Sequence, residues 1–176
     1  LKKLVPYVIL SLLRREPLRL SSGTRPVDWI YVDDVVAGLV AAAQANANRG
    51  YSDVALFEVG QVFRGDRPQD QFVAASGVRH GFASAKGIGR HWSGSSMTDA
   101  LDAKADAFAV LAAAGAPMQA LQVVPGGANW LHPGRSGTIQ IGPQNVLGYF
   151  GELHPRTLEA LSADGPIIAF EVILDR

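Results

Sequence analysis

The sequence predicts an α+β domain in which helices flank an antiparallel sheet. Apolar stretches of strand length recur through the second half of the chain, and the tight-turn signal Gly-Pro-Gln-Asn at residues 142–145 separates two of them. Stretches with helical spacing stand between other strands, at residues 35–43 and 99–115. Hairpin-linked strands with interspersed helices favour α+β over a parallel sheet.

Composition limits the function classes. The chain has 176 residues, 48% of them hydrophobic, and a formal net charge of zero. This is the composition of a globular domain, and neutrality gives no bulk electrostatic argument for binding nucleic acid or anionic lipid. There is no cysteine, which excludes disulfides, thiolate zinc sites and a cysteine nucleophile. A cytoplasmic location fits this composition.

The first forty residues predict a helix, a strand and a second helix. The first helix ends near Arg15, and its apolar part is about half the roughly 20 residues that a membrane span needs, so we expect a soluble, intracellular protein without a membrane segment. Residues 27–32 predict a strand, and Asp33 or Asp34 is expected to cap the helix that Gly50 ends. Because the first residue is Leu1, we expect a fragment of a longer protein.

The middle of the chain predicts a long strand and a clear helix. The stretch Val-Ala-Leu-Phe-Glu-Val-Gly-Gln-Val-Phe, residues 54–63, is apolar on both faces, which is typical of an inner strand and places Phe57 in the core. A second strand is expected at residues 77–84. The helix at residues 99–115 ends at Gly115, with a predicted buried stripe of Leu101, Ala105, Phe108 and Leu111.

Three or four more strands and a short helix complete the predicted sheet. The helix covers residues 154–165 and starts at a His-Pro pair. The strands are expected at residues 121–124, 137–141, 146–153 and 167–174.

Several long blocks in one order carry a resemblance that covers residues from about Gly38 to Arg176. They include QANANRGYSDVALFEVGQVFRGD, LDAKADAFAVLAAAG and VLGYFGELHP. The chain resembles here the catalytic-like module of the β subunit of bacterial phenylalanine–tRNA ligase. The resemblance implies a class II synthetase-like fold that supports assembly without performing the chemistry. It also implies an α subunit as partner, tRNA met through the complex, and ATP and magnesium used by the holoenzyme but not bound by this chain.

The first residues resemble a different family. The stretch VPYVILSLLRREPLRLSSGTRPVDWIYVDDVVAGLVAAA, within residues 1–43, is similar to the C-terminal part of an NAD-dependent epimerase/dehydratase. The glycine-rich turn for a pyrophosphate and the Tyr-x-x-x-Lys pair of that family are missing, and Val27 stands where many epimerases place an arginine. A small-residue helix suits both families, so we interpret the chain as a chimera of an epimerase-like segment, residues 1–37, and a synthetase-type module, residues 38–176.

No set of residues forms a predicted catalytic, cofactor-binding or metal site. The four histidines lack ligand spacing, the glycine loop at residues 86–94 matches no phosphate-binding motif, and Ser136 lies in Gly-Arg-Ser-Gly rather than a nucleophile elbow. Glu58, Glu152 and Glu171 lie in predicted strands, where a buried carboxylate pair could do acid–base work, but a strand glutamate that meets an arginine such as Arg135 is the commoner outcome.

The leading interpretation is therefore a non-catalytic assembly module. Alternatives are a remnant of a nucleotide-sugar epimerase or a chimera without a selected function. Aromatic and arginine side chains often anchor interfaces, and the candidates for a subunit interface are Arg90, Trp92, Trp130, Arg135 and Tyr149.

Overall fold

Six antiparallel strands form one sheet, in the spatial order β1-β2-β6-β5-β4-β3. The computed structural model describes residues 32–51, 53–63, 70–83 and 96–175. The predicted first helix and residues 27–31 of the predicted first strand lie outside these residues. The strands are β1 (Val54–Phe63), β2 (Gln71–His80), β3 (Gln122–Pro125), β4 (Leu131–Gln140), β5 (Val146–Leu153) and β6 (Ile167–Ile173).

Three described α-helices and a short 3-10 helix (Met118–Ala120) accompany the sheet. The α-helices are α1 (Val32–Ala47), α2 (Ala100–Ala113) and α3 (Pro155–Ala160). Since α1 includes Val32, that residue is not part of a strand, and the two aspartates expected to cap the helix lie within its first turn. No helix in the described part of the chain is long and apolar enough to cross a membrane.

The two faces of the sheet carry separate hydrophobic clusters, because side chains alternate along each strand. One cluster packs against α2 and includes Ile139, Phe150, Phe170 and Val172. The other packs Val36, Val40 and Ala43 of α1 against side chains such as Leu153 and Ile167. We call these sides the α2 face and the α1 face. Strand β6 is buried along its whole length, as expected for an inner strand covered on both faces.

The prediction that residues 54–63 form an inner strand is wrong. These residues do form β1, but β1 is an edge strand of the sheet that the described residues form. Its side chains Phe57 and Val59 are 76% and 53% exposed. Helix α2 packs over β6, β5 and part of β2 and leaves the α2 face of β1 uncovered. The apolar character of this strand therefore comes from side chains that the described fold does not bury.

Helix α2 confirms the predicted element and half of its predicted buried stripe: Leu111 is buried and Phe108 packs partly buried against the same cluster, whereas Leu101 and Ala105 are exposed. Its N-cap, Asp99, accepts hydrogen bonds from two backbone N–H groups in a capping box with Asp102. Gly115 follows the helix with φ at +82°, a conformation that favours glycine. The face toward the sheet consists of Ala103, Ala107 and Leu111, whereas Leu101 is 68% exposed. The buried alanines let the helix lie close to the large side chains of the sheet.

The remaining strands follow the prediction with shifted ends. Strand β2 begins earlier than expected, and β4 is longer, with irregular pairing between Leu131 and Ser136. The turn at residues 142–145 closes the β4–β5 hairpin, where the Ile141 N–H donates to the Asn145 carbonyl at 2.9 Å. Helix α3 begins at the expected His-Pro pair, with His154 as its N-cap.

Candidate protein interface

The edge formed by β1 is long and apolar. The strand pairs with β2 along its whole length, from Val54 opposite His80 to Phe63 opposite Gln71, in one continuous register. Among the residues that the structure describes, no other strand pairs with β1. It contains no proline and no lysine, and Glu58 is its one charged residue. A long, apolar edge strand presents backbone N–H and C=O groups that can pair with a strand of another chain.

The opposite edge of the same sheet differs in the features that limit pairing. Strand β3 has four residues and ends at Pro125. Short length and proline are two devices by which proteins protect an edge strand from pairing. The contrast between the two edges indicates that β1, rather than β3, is the edge suited to a partner.

A recessed groove lies on the α2 face between β1 and α2. Its volume is about 280 Å³. Phe57 stands on the strand side, and Ala109 and Val110 stand on the helix side. Gly77 and Phe170 also line the groove. The groove therefore continues inward from the exposed surface of β1.

Two glycines on the α2 face leave room for phenylalanine rings against the sheet. Gly77 lies opposite Phe57 on β1 and opposite Phe170 on β6. A Cβ added at Gly77 would lie 2.4 Å from Cε1 of Phe170, and one added at Gly137 would lie 2.5 Å from Cζ of Phe150. The rings of the two phenylalanines thus occupy the space over the glycines, under α2.

An ion pair ties α2 to β2 at the side of the groove. Nε and Nη2 of Arg79 donate to the two carboxylate oxygens of Asp106 at 2.6 and 2.7 Å. This hydrogen bonding raises the pKa of Arg79 above its ordinary value against the opposing effect of desolvation, so the guanidinium stays charged. The side chains are 34% and 28% exposed. The charges of Arg79 and Asp106 therefore neutralise each other at the solvent-exposed side of the groove.

The interface residues predicted from sequence lie elsewhere or outside the described residues. Arg90 and Trp92 lie outside the described residues. Trp130 and Tyr149 are partly buried against the cluster on the α1 face. Arg135 donates to Glu152 at 2.5 and 2.8 Å, which raises the pKa of Arg135 and confirms the expected strand glutamate–arginine pair. Trp130 precedes β4, and the other two lie on β4 and β5, away from β1.

The residues considered for chemistry serve local structure where they are described. Nδ1 of His132 and Nδ1 of His154 each accept a backbone N–H two residues later, at 3.1 Å. The Oγ of Ser136 is buried and has no hydrogen-bond partner among the described residues. Glu171 is buried and accepts a hydrogen bond from Ser76 at 3.5 Å. Within the described residues, no three histidine, aspartate or glutamate side chains form a group that could hold a metal ion.

Sequence reasoning missed Phe57 and Val59 as surface residues. The signal was present in the long apolar strand, but apolar residues on both faces indicate only that both faces are covered in some state. The spacing of apolar residues does not indicate whether the atoms that cover the strand belong to the same chain or to another one. The edge position of β1, which only the fold reveals, changes the interpretation from core to interface.

Two family models match the chain. The family described as phenylalanyl tRNA synthetase beta chain CLM domain matches residues 31–174. The NAD dependent epimerase/dehydratase family matches residues 1–56. The two matches overlap over residues 31–56, which include α1. The overlap confirms that this helix is acceptable to both families.

Curated relatives agree with the longer match. The chain is 80% identical over 142 residues to the phenylalanine–tRNA ligase beta subunit of Bradyrhizobium diazoefficiens. It is 74% identical over 143 residues to that of Rhodopseudomonas palustris. Each alignment covers 81% of this chain and 18% of the relative. The chain thus spans about a fifth of the length of these relatives.

A solved structure supports the fold. The chain is similar to a pyrrolysyl-tRNA synthetase from Desulfitobacterium hafniense, with a TM-score of 0.52 and 14% sequence identity. The alignment covers 78% of this chain and 44% of that one. At this identity the likeness concerns the fold alone, and it agrees with the expected class II synthetase-like antiparallel sheet.

Proposed function

Because the chain belongs to the family of phenylalanyl-tRNA synthetase beta chain CLM domains, we propose that it is a non-catalytic assembly module of a phenylalanine–tRNA ligase. Its partner is the α subunit of that enzyme, and it works in the cytoplasm. The complex meets the tRNA, and ATP and magnesium are used by the holoenzyme. The chain's own contribution to tRNA charging is to hold the α subunit in place.

The unprotected edge strand β1 is the observation that carries this proposal. Its exposed side chains, Phe57 and Val59, form an apolar surface of the kind found at the core of subunit interfaces. Apolar side chains at 76% and 53% exposure contribute little to the stability of the chain alone. They stabilise a complex once a partner removes them from water.

Binding to an α subunit tests the proposal. The tagged chain is mixed with the purified α subunit of the Bradyrhizobium diazoefficiens enzyme, and the dissociation constant is measured. Phe57→Asp places a charge in the proposed interface, and we expect it to weaken binding at least about tenfold. The melting temperature of the chain alone should change little, because Phe57 is 76% exposed.

Val123→Asp on β3 is the matched control, since Val123 is also an exposed apolar residue but lies on the opposite edge. Its binding should equal that of the unmodified chain. Failure of the unmodified chain to bind at high micromolar concentration would contradict the proposal, as would equal binding by Phe57→Asp. Phenylalanine-dependent ATP–pyrophosphate exchange by the chain alone would contradict its non-catalytic part.

A further inference from the structure

We infer that the groove between β1 and α2 receives an apolar side chain of the α subunit, so that the interface extends from the β1 edge across the α2 face of the sheet. The inference rests on the proposed function. It adds which face of the edge is contacted and what chemistry the partner brings there.

The size of the groove fits one or two side chains. Its volume is about 280 Å³. An apolar cavity of about 150 Å³ is large enough to hold a benzene molecule. A phenyl or branched aliphatic side chain therefore fits with room for its backbone to remain above the surface.

The groove is open because one helix is too narrow for the sheet. Neighbouring strands lie about 4.8 Å apart, whereas a helix with its side chains is about 10–12 Å wide. One helix therefore covers two or three strands. Helix α2 packs over the middle strands, with Phe150 and Phe170 only 5% exposed beneath it. Strand β1 lies beyond its reach, and the strip between β1 and the helix stays recessed.

The lining favours an apolar occupant. The lining includes the apolar side chains of Phe57, Val110 and Phe170. The charged lining residues, Arg79 and Asp106, are hydrogen-bonded to each other through two bonds. A charged partner group would have to compete with that pair, whereas an apolar group gains from the lining without disturbing it.

Phe57 links the groove to the exposed edge. Its side chain is both an exposed residue of β1 and a wall of the groove. A partner that covers Phe57 on the α2 face therefore lies directly over the groove. Apolar pockets next to aromatic residues are the places where interface energy concentrates.

Filling the groove tests the inference. Ala109 lines it from α2 and is exposed, so Ala109→Trp should fold and occupy the space with its own ring. Ala105→Trp is the control, since Ala105 is exposed on the same helix but does not line the groove. We expect Ala109→Trp to weaken α-subunit binding at least about tenfold and Ala105→Trp to change it by less than about twofold.

The outcomes separate the inference from the proposed function. If Phe57→Asp weakens binding and Ala109→Trp does not, the groove is not occupied, and the inference fails while the assembly role stands. If neither change weakens binding, or the unmodified chain does not bind, both fail. Melting temperatures near that of the unmodified chain confirm that the variants fold. If Ala109→Trp has a lowered melting temperature, Ala109→Met is used instead, because it fills the groove with a smaller side chain. Ala109→Met is then expected to weaken binding to the α subunit in the same way.

Discussion

Phe57 and Phe170 are both cross-strand neighbours of Gly77, on opposite sides of it. Phe57 is 76% exposed, whereas Phe170 is 5% exposed beneath α2. Sequence reasoning could place both in apolar strands but could not separate them, because burial depends on what lies above the sheet and not on the residue. An ion pair between a strand glutamate and Arg135 was predictable, since complementary charges on strands commonly meet, but which of the three strand glutamates pairs with it is shown only by the fold.

Gly77 makes a testable contribution to packing. Its missing side chain leaves room for the ring of Phe170, and a Cβ there would lie 2.4 Å from that ring. We expect Gly77→Ala to lower the free energy of unfolding by about 1–3 kcal/mol through overpacking. The measurement is denaturant unfolding of the purified chain.

Gly60 provides the control for this substitution. A Cβ added there meets nothing within 4 Å, and the residue does not have a positive φ. Gly60→Ala should therefore stay within about 0.5 kcal/mol of the unmodified chain. Equal effects of the two substitutions would show that the close approach of Phe170 does not constrain Gly77.

At the scale of elements, the positions of most predicted helices and strands are confirmed, while their roles are harder to predict. Helix α2 was predicted from its periodicity, and of its predicted stripe Leu111 faces the sheet, but the other buried positions are Ala103 and Ala107. The sequences of β1 and β6 are both apolar on the two faces of the strand. Of these two strands, β6 has a neighbour on each side and is buried, whereas β1 is at the edge. Strand order is set by long-range pairing, which local patterns do not specify.

The capping box of α2 predicts a specific effect of Asp99. Its carboxylate accepts the N–H groups of Leu101 and Asp102 at 2.7 and 3.3 Å. Asp99→Ala leaves these donors without that acceptor, and we expect the free energy of unfolding to fall by about 1 kcal/mol. Asp99→Ser keeps a capping oxygen and should retain most of the stability, as measured by thermal unfolding. A loss as large for serine as for alanine would mean that the cap does not hold the helix.

At the scale of the whole chain, the resemblance predicted the fold class and the family, and the matched range begins earlier than expected. The synthetase-type match starts at residue 31 rather than about Gly38. Helix α1 spans the predicted boundary between residues 37 and 38. Its residue Val36 is 4% exposed and packs in the same cluster as Val40. Since both family matches include this helix, local patterns alone could not place a boundary between them.

Two truncations test where the folding unit begins. A chain that starts at residue 31 keeps all of α1, whereas one that starts at residue 38 loses Val36 and the first turns of the helix. We expect the first to melt within a few degrees of the full chain. The second should lose at least about 1.5 kcal/mol from the buried valine alone. Equal melting temperatures for the two truncated chains would mean that the first turns of α1 do not belong to the folding unit.

A subunit of this kind made in excess of its partner would present β1 to other copies of itself. The segment Val54–Val59 is rich in β-formers, carries one charge and contains no proline, which is the composition of segments that stack into fibrils. If the α subunit covers β1 as proposed above, matched synthesis of the two chains, or folding of one in the presence of the other, keeps that segment occupied. The chain's solubility then depends on how much partner is made beside it.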